Sequence, residues 1–197
     1  QTLADGRPVY AGTAKRPNPA FGAINLIHSG TTSNFSGLFV TLQKRLSNGR
    51  EFTANYMYSH ALDDNIGEGG SVSDPSNLHR DYGNADSDIR HNFVFQGLYQ
   101  PTFGKRSMRW LNGFELSTMT YQNSGFPINV IAGTDLNNDG VVNDRPLFES
   151  RNSFRGRGFS QVSAQVKRYV NIGEHVHLAA FIGAENLLNS NNLNCNT

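Results

Sequence analysis

The sequence predicts an all-β fold of antiparallel, up-and-down strands, about eight of them, joined in part by long loops. Three observations carry this. Apolar residues recur at every second position through most of the chain, the period of a strand with one wet face. No segment repeats apolar residues at helical spacing over a useful length. Short turn signals alternate with long polar connections. Composition agrees: Phe 13, Tyr 7 and Gly 20 beside only 17% charged residues suit strands and turns better than helices.

Residues 1–20, with Pro8, Pro17 and Pro19, read as an extended or irregular lead-in. The strand-forming domain covers 21–190, and 191–197 is a tail. In "NFSGLFVTLQKRL" one face carries Leu38, Val40 and Leu42, the other Phe39, Thr41, Gln43 and Arg45. In "REFTANYMYSHAL" Phe52, Ala54, Tyr56 and Tyr58 alternate with Thr53, Asn55, Met57 and Ser59. Between them "SNGR" places Asn48-Gly49, a strong tight-turn signal for a hairpin. Asp63 to Ser87 has no periodicity and reads as a large loop.

"DIRHNFVFQGLYQPTFG" then gives Ile89, His91, Phe93, Phe95 and Tyr99 on one face and Arg90, Asn92 and Gln96 on the other. A short link around Gly104 to Arg109 leads into "WLNGFELSTMTYQNSG". There Phe114, Leu116, Thr118 and Thr120 oppose Glu115, Ser117, Met119 and Tyr121. "FPINVIAG" is a further short strand, and Gly133 to Phe154 a second long loop. "GFSQVSAQVKRYV" sets Val162, Ala164 and Val166 against Gln161, Ser163, Gln165 and Lys167. After a turn at Asn171 to Glu174, Val176, Leu178, Ala180 and Ile182 oppose His177, Ala179, Phe181 and Glu185.

A net charge of +1 predicts no nucleic-acid partner, and the modest cluster Arg155, Arg157, Lys167 and Arg168 is too thin for one. Cys195 is the single cysteine, so neither a disulfide framework nor a Cys-based zinc site forms within one chain. No apolar run reaches the ~20 residues of a spanning helix. The start "QTLADGRPVY" lacks the basic-then-apolar pattern of a signal peptide. Gln1 is then either a mature terminus or an internal position of something longer. No G-x-S-x-G, Walker or H-E-x-x-H string occurs, and nothing supports an enzyme.

Two architectures satisfy these two-faced strands. A soluble sandwich buries the apolar face, whereas an outer-membrane barrel turns it to lipid and lines its lumen with the polar one. Short links alternating with long loops are what such a barrel shows.

Particular strings carry a resemblance. "NFSGLFVTLQKRLSNGREFTANYMYSHALDD", "DYGNADSDIRHNFVFQGLYQPTFG", "LNGFELSTMTYQNSGFPINV", "DLNNDGVVNDRP", "RGRGFSQVSAQVKRYVNI" and "AAFIGAENLLN" occur in this order. They resemble successive segments of TonB-dependent outer-membrane receptors of the Oar-like, carboxypeptidase-regulatory-like group, over roughly Asn34 to Asn189. The resemblance implies the C-terminal part of a β-barrel in a Gram-negative outer membrane, with a role in uptake or surface binding. Outer-membrane lipid and the remainder of a longer receptor chain would be its partners. Two features depart from the family. Such barrels have about 22 strands around a plugged lumen, and neither a plug nor an energy-coupling box is visible here. The chain ends in "NSNNLNCNT" where the family has an aromatic-terminated strand.

The most pointed chemistry lies in "GTDLNNDGVVNDRP". Asp135, Asn137 and Asp139 match the first ligands of a D-x-[DN]-x-[DN]-G loop, Gly140 permits the sharp turn, and Val141 offers a carbonyl. The Glu expected at the end of such a loop is missing, so Asn143 or Asp144 must substitute. Calcium is the expected ion, stiffening a long loop; the alternative is a metal-free Asx-rich turn. Asp63, Asp64, Asp81, Asp86 and Asp88, beside His79 and Arg80, form a second acidic group, read as a solvated loop rather than a ligand site. His175 and His177 lie two apart without a third ligand nearby and read as surface histidines.

Three functions are therefore expected in order. The first is a barrel wall with Gln43, Arg45, Arg90, Gln96, Gln165 and Lys167 facing the lumen. The second is an extracellular protein derived from such a barrel that assembles with copies of itself through free strand edges. The third is a soluble sandwich that binds carbohydrate through its loops.

Overall fold

The structure is a computed structural model that describes residues 1–10, 18, 20–21, 29–67, 72–173 and 175–193. Six long strands carry the fold: β1 (Ser33–Ser47), β2 (Arg50–Asp63), β4 (His91–Tyr99), β5 (Phe114–Asn123), β8 (Phe159–Ile172) and β9 (Val176–Ala184). Three two-residue strands, β3 (Gly83–Asn84), β6 (Pro127–Ile128) and β7 (Phe154–Arg155), complete the described set. The only helical segments among the described residues are 3-10 turns at Leu78–Asp81 and Arg106–Leu111. The fold is all-β, as the alternation predicts. No helix among the described residues is long and apolar enough to cross a membrane.

The chain divides into two compact units. The sheet unit holds Gly37–Ser59, Ile89–Gly125 and Gly156–Thr197; the loop unit holds Gln1–Ser36, His60–Asp88 and Phe126–Arg155. In the sheet unit the strand order is β1-β2-β4-β5-β8-β9, so every long strand lies beside its neighbour in sequence. The pairings from β2 to β9 are antiparallel. The sheet is open, with β1 and β9 at its ends.

Register decides which side chains share a face. Ala54 lies opposite Phe95, Phe95 opposite Thr120, and Thr120 opposite Val162. Leu116 is paired with Val166, and Val166 with Ile182. Because side chains alternate with period two, Phe52, Tyr56, Tyr58, Phe93, Leu178 and Ala180 fall on this apolar face as well. Thr41 donates to Asn55 Oδ1 at 2.9 Å, which sets Thr41 with the opposite face and therefore Leu38, Val40 and Leu42 with the apolar one. This assignment matches the sequence expectation strand by strand. Rings mark both ends of the β2–β4 part of this face. Tyr58 packs 5.3 Å from His91 at one end, and Arg50 stacks 5.6 Å over Tyr99 at the other.

Arg168, like Arg50, is a cation on this face, opposite Ala180. Its guanidinium donates to the carbonyls of Trp110 and Asn112 and lies over the Phe114 ring.

The β1–β2 turn is the tight one its sequence predicts. Asn48 and Gly49 have φ of 51° and 71°, the mirror-image turn whose twist matches a hairpin. A Cβ on Gly49 would stand 2.0 Å from the Gln100 carbonyl oxygen. Gly49→Ala is therefore expected to lower stability by at least about 1 kcal/mol, read as a shifted urea midpoint in detergent. Gly104→Ala, where nothing lies within 4 Å, serves as the neutral control.

Two local expectations are corrected. The strand expected from Trp110 begins at Phe114, because Asn112 closes the preceding link by bonding both the N–H and the C=O of Phe103, and Gly113 turns the chain with φ 87°. "FPINVIAG" supplies only Pro127–Ile128, because its strand partner among the described residues is the two-residue β7. Within the expected extended lead-in, Leu3 to Arg7 form a turn closed by a bridge between Thr2 and Pro8. Cys195 and Glu174 lie outside the described residues.

Candidate functional site

The polar face of the sheet gathers residues from successive strands. Gln96 is opposite Thr53 and Met119, Met119 opposite Ser163, and Ser117 opposite both Leu98 and Gln165. Gln43 and Arg45 share this face by alternation from Thr41. Arg90 falls in the same alternation as Asn92 and Gln96, just ahead of β4. The fold thus brings Gln43, Arg45, Arg90, Gln96, Gln165 and Lys167 to one side of one sheet. A groove of about 810 Å³ runs over it, lined by Glu51, Thr53, Gln96, Ser117, Gln165 and Glu185 among others. Neutral amides and hydroxyls share this lining with Leu98, Met119 and Phe181 and with the carboxylates of Glu51 and Glu185, so it offers hydrogen-bond donors and acceptors beside apolar surface.

Lys167 is not a lone cation on that face. Its Nζ lies 3.2 Å from Glu115 Oε1, and the same carboxylate accepts from Gln100 and Tyr169 at 2.9 and 3.3 Å. Register explains the meeting, since Glu115 lies directly opposite Lys167. Sequence reading placed both residues on polar faces but had no means of pairing them.

The loop unit is built differently. Its fully buried groups are mainly polar: among the described residues Asp81, Asp88, Asn137, Asp144 and Asn152 are the largest wholly buried side chains, and the one buried apolar residue is Ala85. Each buried acid has an arginine. Asp81 takes Arg145 at 2.8 Å, Asp88 takes Arg155, and Asp144 takes Arg7 at 2.8 Å. Arg151 bridges Asp63 and Asp86 at 2.5 and 3.0 Å. Burying such charges is costly unless each is paired and hydrogen-bonded, and the remaining carboxylate oxygens are satisfied as well. Asp81 also accepts from the Ser73 N–H and hydroxyl, and Asp88 from the Ala61 N–H.

The second acidic group is thus corrected. Asp81 and Asp88 are each 1% exposed and serve as counter-ions inside the loop unit, whereas Asp64, on Thr32 N–H, stays at the surface. Arg7, Arg145 and Arg151 are the residues that sequence reasoning missed. They pair across 64 to 137 positions of chain, and nothing local announces that.

The residues proposed for calcium lie in one loop. Asp135 accepts from the Asp139 and Gly140 N–H groups, Asn137 from Asp139 N–H, and Asp139 from Val141 N–H and the Asn137 amide. Asn143 donates to the Val72 carbonyl at 3.4 Å. Val141 is exposed. Asp144 turns away to Arg7 and accepts from the Leu136 and Asn137 N–H groups at 2.6 and 3.0 Å. Among the described residues, no three acidic, histidine or cysteine side chains converge as a metal site. Tyr10, whose N–H donates to the Asn137 carbonyl, has its phenol pKa raised by burial and then by the Asp74 and Asp139 carboxylates. His177 donates to or accepts from Asn171 at 2.8 Å.

A pocket of about 250 Å³ in the loop unit is lined by Asp5, Arg7, Arg80, Arg145 and Phe148 with its two successors. Phe148 holds a φ of 67° there, a conformation a bulky side chain adopts only at a cost.

Comparison with known proteins adds one finding. The profile of a family described as the outer membrane beta barrel domain matches residues 2–149, well over half of the chain's 197. No curated protein and no solved structure gives a significant match. With two-faced antiparallel strands and a family match of this extent, the chain belongs to the outer membrane beta barrel domain family.

Proposed function

We propose that this chain forms part of the wall of an outer-membrane receptor of the TonB-dependent kind, within a longer polypeptide, and serves uptake or surface binding. The apolar face meets lipid, and Gln43, Arg45, Arg90, Gln96, Gln165 and Lys167 line a wet interior. The connections Asp63–Ser87 and Gly133–Phe154 face the cell exterior. The observation that supports this reading most is the segregation of side chains across four consecutive strand pairings, from β2 to β9, in one register. The nine residues of β4 also suit the ~9–11 that a tilted strand needs to cross a bilayer.

Thiol labelling tests it. In a Cys195→Ser background, Gln165→Cys should react rapidly in intact membranes with a charged, water-soluble thiol reagent. Val166→Cys, one position along, should react at least about tenfold more slowly, because the thiolate hardly forms in hydrocarbon. Equal rates at the two positions would remove the barrel reading.

A second reading rests on the sheet's two ends. Neither β1 nor β9 has a strand beyond it among the described residues, and open edges template pairing with another chain. Six long strands is an even number, so β9 of one copy would run antiparallel to β1 of the next. Sedimentation of the purified chain separates the readings. Discrete species in detergent favour the wall, whereas polymers in plain buffer favour assembly.

A further inference from the structure

The acidic loop has a cation beside it, and that cation belongs to the chain. The side chain of Asp144 is 0% exposed and that of Arg7 only 3%. Arg7 Nη1 lies 2.8 Å from Asp144 Oδ1, its Nη2 donates to the Arg145 carbonyl at 2.9 Å, and its Nε to Asp5 at 2.9 Å. The fork therefore grips the end of the loop by both a side chain and the backbone. The other Asp144 oxygen takes the N–H groups of Leu136 and Asn137, which fixes the loop's beginning to its end.

The segment that carries Arg7 is held in turn. Tyr10 N–H donates to the Asn137 carbonyl at 2.7 Å, and the Asn138 amide to the Tyr10 carbonyl at 2.8 Å. A calcium ion asks for six to eight oxygens. Asp144 is unsuited to be one of them, because an ion on it would stand next to a buried guanidinium of like charge.

We propose that the Gly133–Pro146 loop is closed by Arg7, with the segment Thr2–Tyr10 as its latch, and that its order does not depend on calcium. Arginine does here what a bound ion does in other acidic loops: it neutralises a carboxylate that the fold has already buried, and its planar fork adds direction that a spherical ion lacks.

Amide hydrogen exchange on the full chain in detergent, with calcium chloride or with a chelator, tests this. In the unsubstituted chain the Leu136 and Asn137 amides should exchange at the same rate in both. Arg7→Ala should speed them by at least about tenfold, and Arg7→Lys by less, since lysine keeps the charge but loses the fork. Asp144→Asn, which removes the charge and keeps an oxygen for the two N–H groups, should loosen the same amides and covers the case in which Arg7→Ala does not fold. Slower exchange of the unsubstituted loop in calcium would overturn the proposal. So would unchanged exchange in Arg7→Ala, or in Asp144→Asn.

Discussion

The Phe95→Arg variant should lose about 2–4 kcal/mol of stability in a bilayer, whereas Gln96→Arg, its neighbour, should stay within about 0.5 kcal/mol. Phe95 is the central residue of β4, in the apolar row Ala54–Phe95–Thr120–Val162, and its ring stacks on Phe52 at 6.2 Å. Arginine there exposes a guanidinium to hydrocarbon midway along a spanning strand, too far from either interface to snorkel. Gln96 lines the groove on the opposite face, where a guanidinium keeps its water. Urea titration of the chain folded into lipid vesicles, followed by Trp110 fluorescence, measures both. Equal losses in the two variants would mean that the faces do not meet different solvents, and the membrane reading would fall with them.

The other large effect belongs to the loop unit. Arg145→Ala should cost about 3–5 kcal/mol of local stability, because it leaves Asp81 charged and buried without its cation. The guanidinium satisfies three acceptors at once, Asp81 at 2.8 Å, and Ser73 Oγ and the Arg80 carbonyl at 3.1 Å each. Adding Asp81→Asn to the Arg145→Ala background should restore part of the loss, since the stranded charge is then gone while Ser73 keeps an acceptor. The readout is protection of the Ser73 and Tyr82 amides against hydrogen exchange. Were the double variant no better than the single one, the cost would lie in lost packing and not in an orphaned charge.

Such a loop unit contrasts with an ordinary domain, in which apolar burial dominates. Here the interior is made of arginines, aspartates and buried asparagines. Asn152 is typical: it is 2% exposed, at φ 55°, and its amide donates to the Asn84 carbonyl and to Asp86. Directional bonds of this kind fix one conformation, whereas apolar contacts tolerate several. Loops built this way hold a definite shape without an apolar core.

The sequence by itself determined the strands and their faces. Alternation with period two is a local property, legible from Leu38–Val40–Leu42 or Val162–Ala164–Val166 alone, and pairing every long strand with the next one kept those faces in line. Asn48-Gly49 likewise announced its turn, because its conformation is set by two residues. Only the tertiary structure decided what the charged loop residues do. Asp144, spaced like a metal ligand, belongs to Arg7, and Asp81, which reads as a solvated turn acid, is buried on Arg145. Backbone patterning propagates from each residue to its neighbours, but an ion pair between positions 137 apart depends on where the whole chain brings its ends, and no spacing rule along the sequence records that.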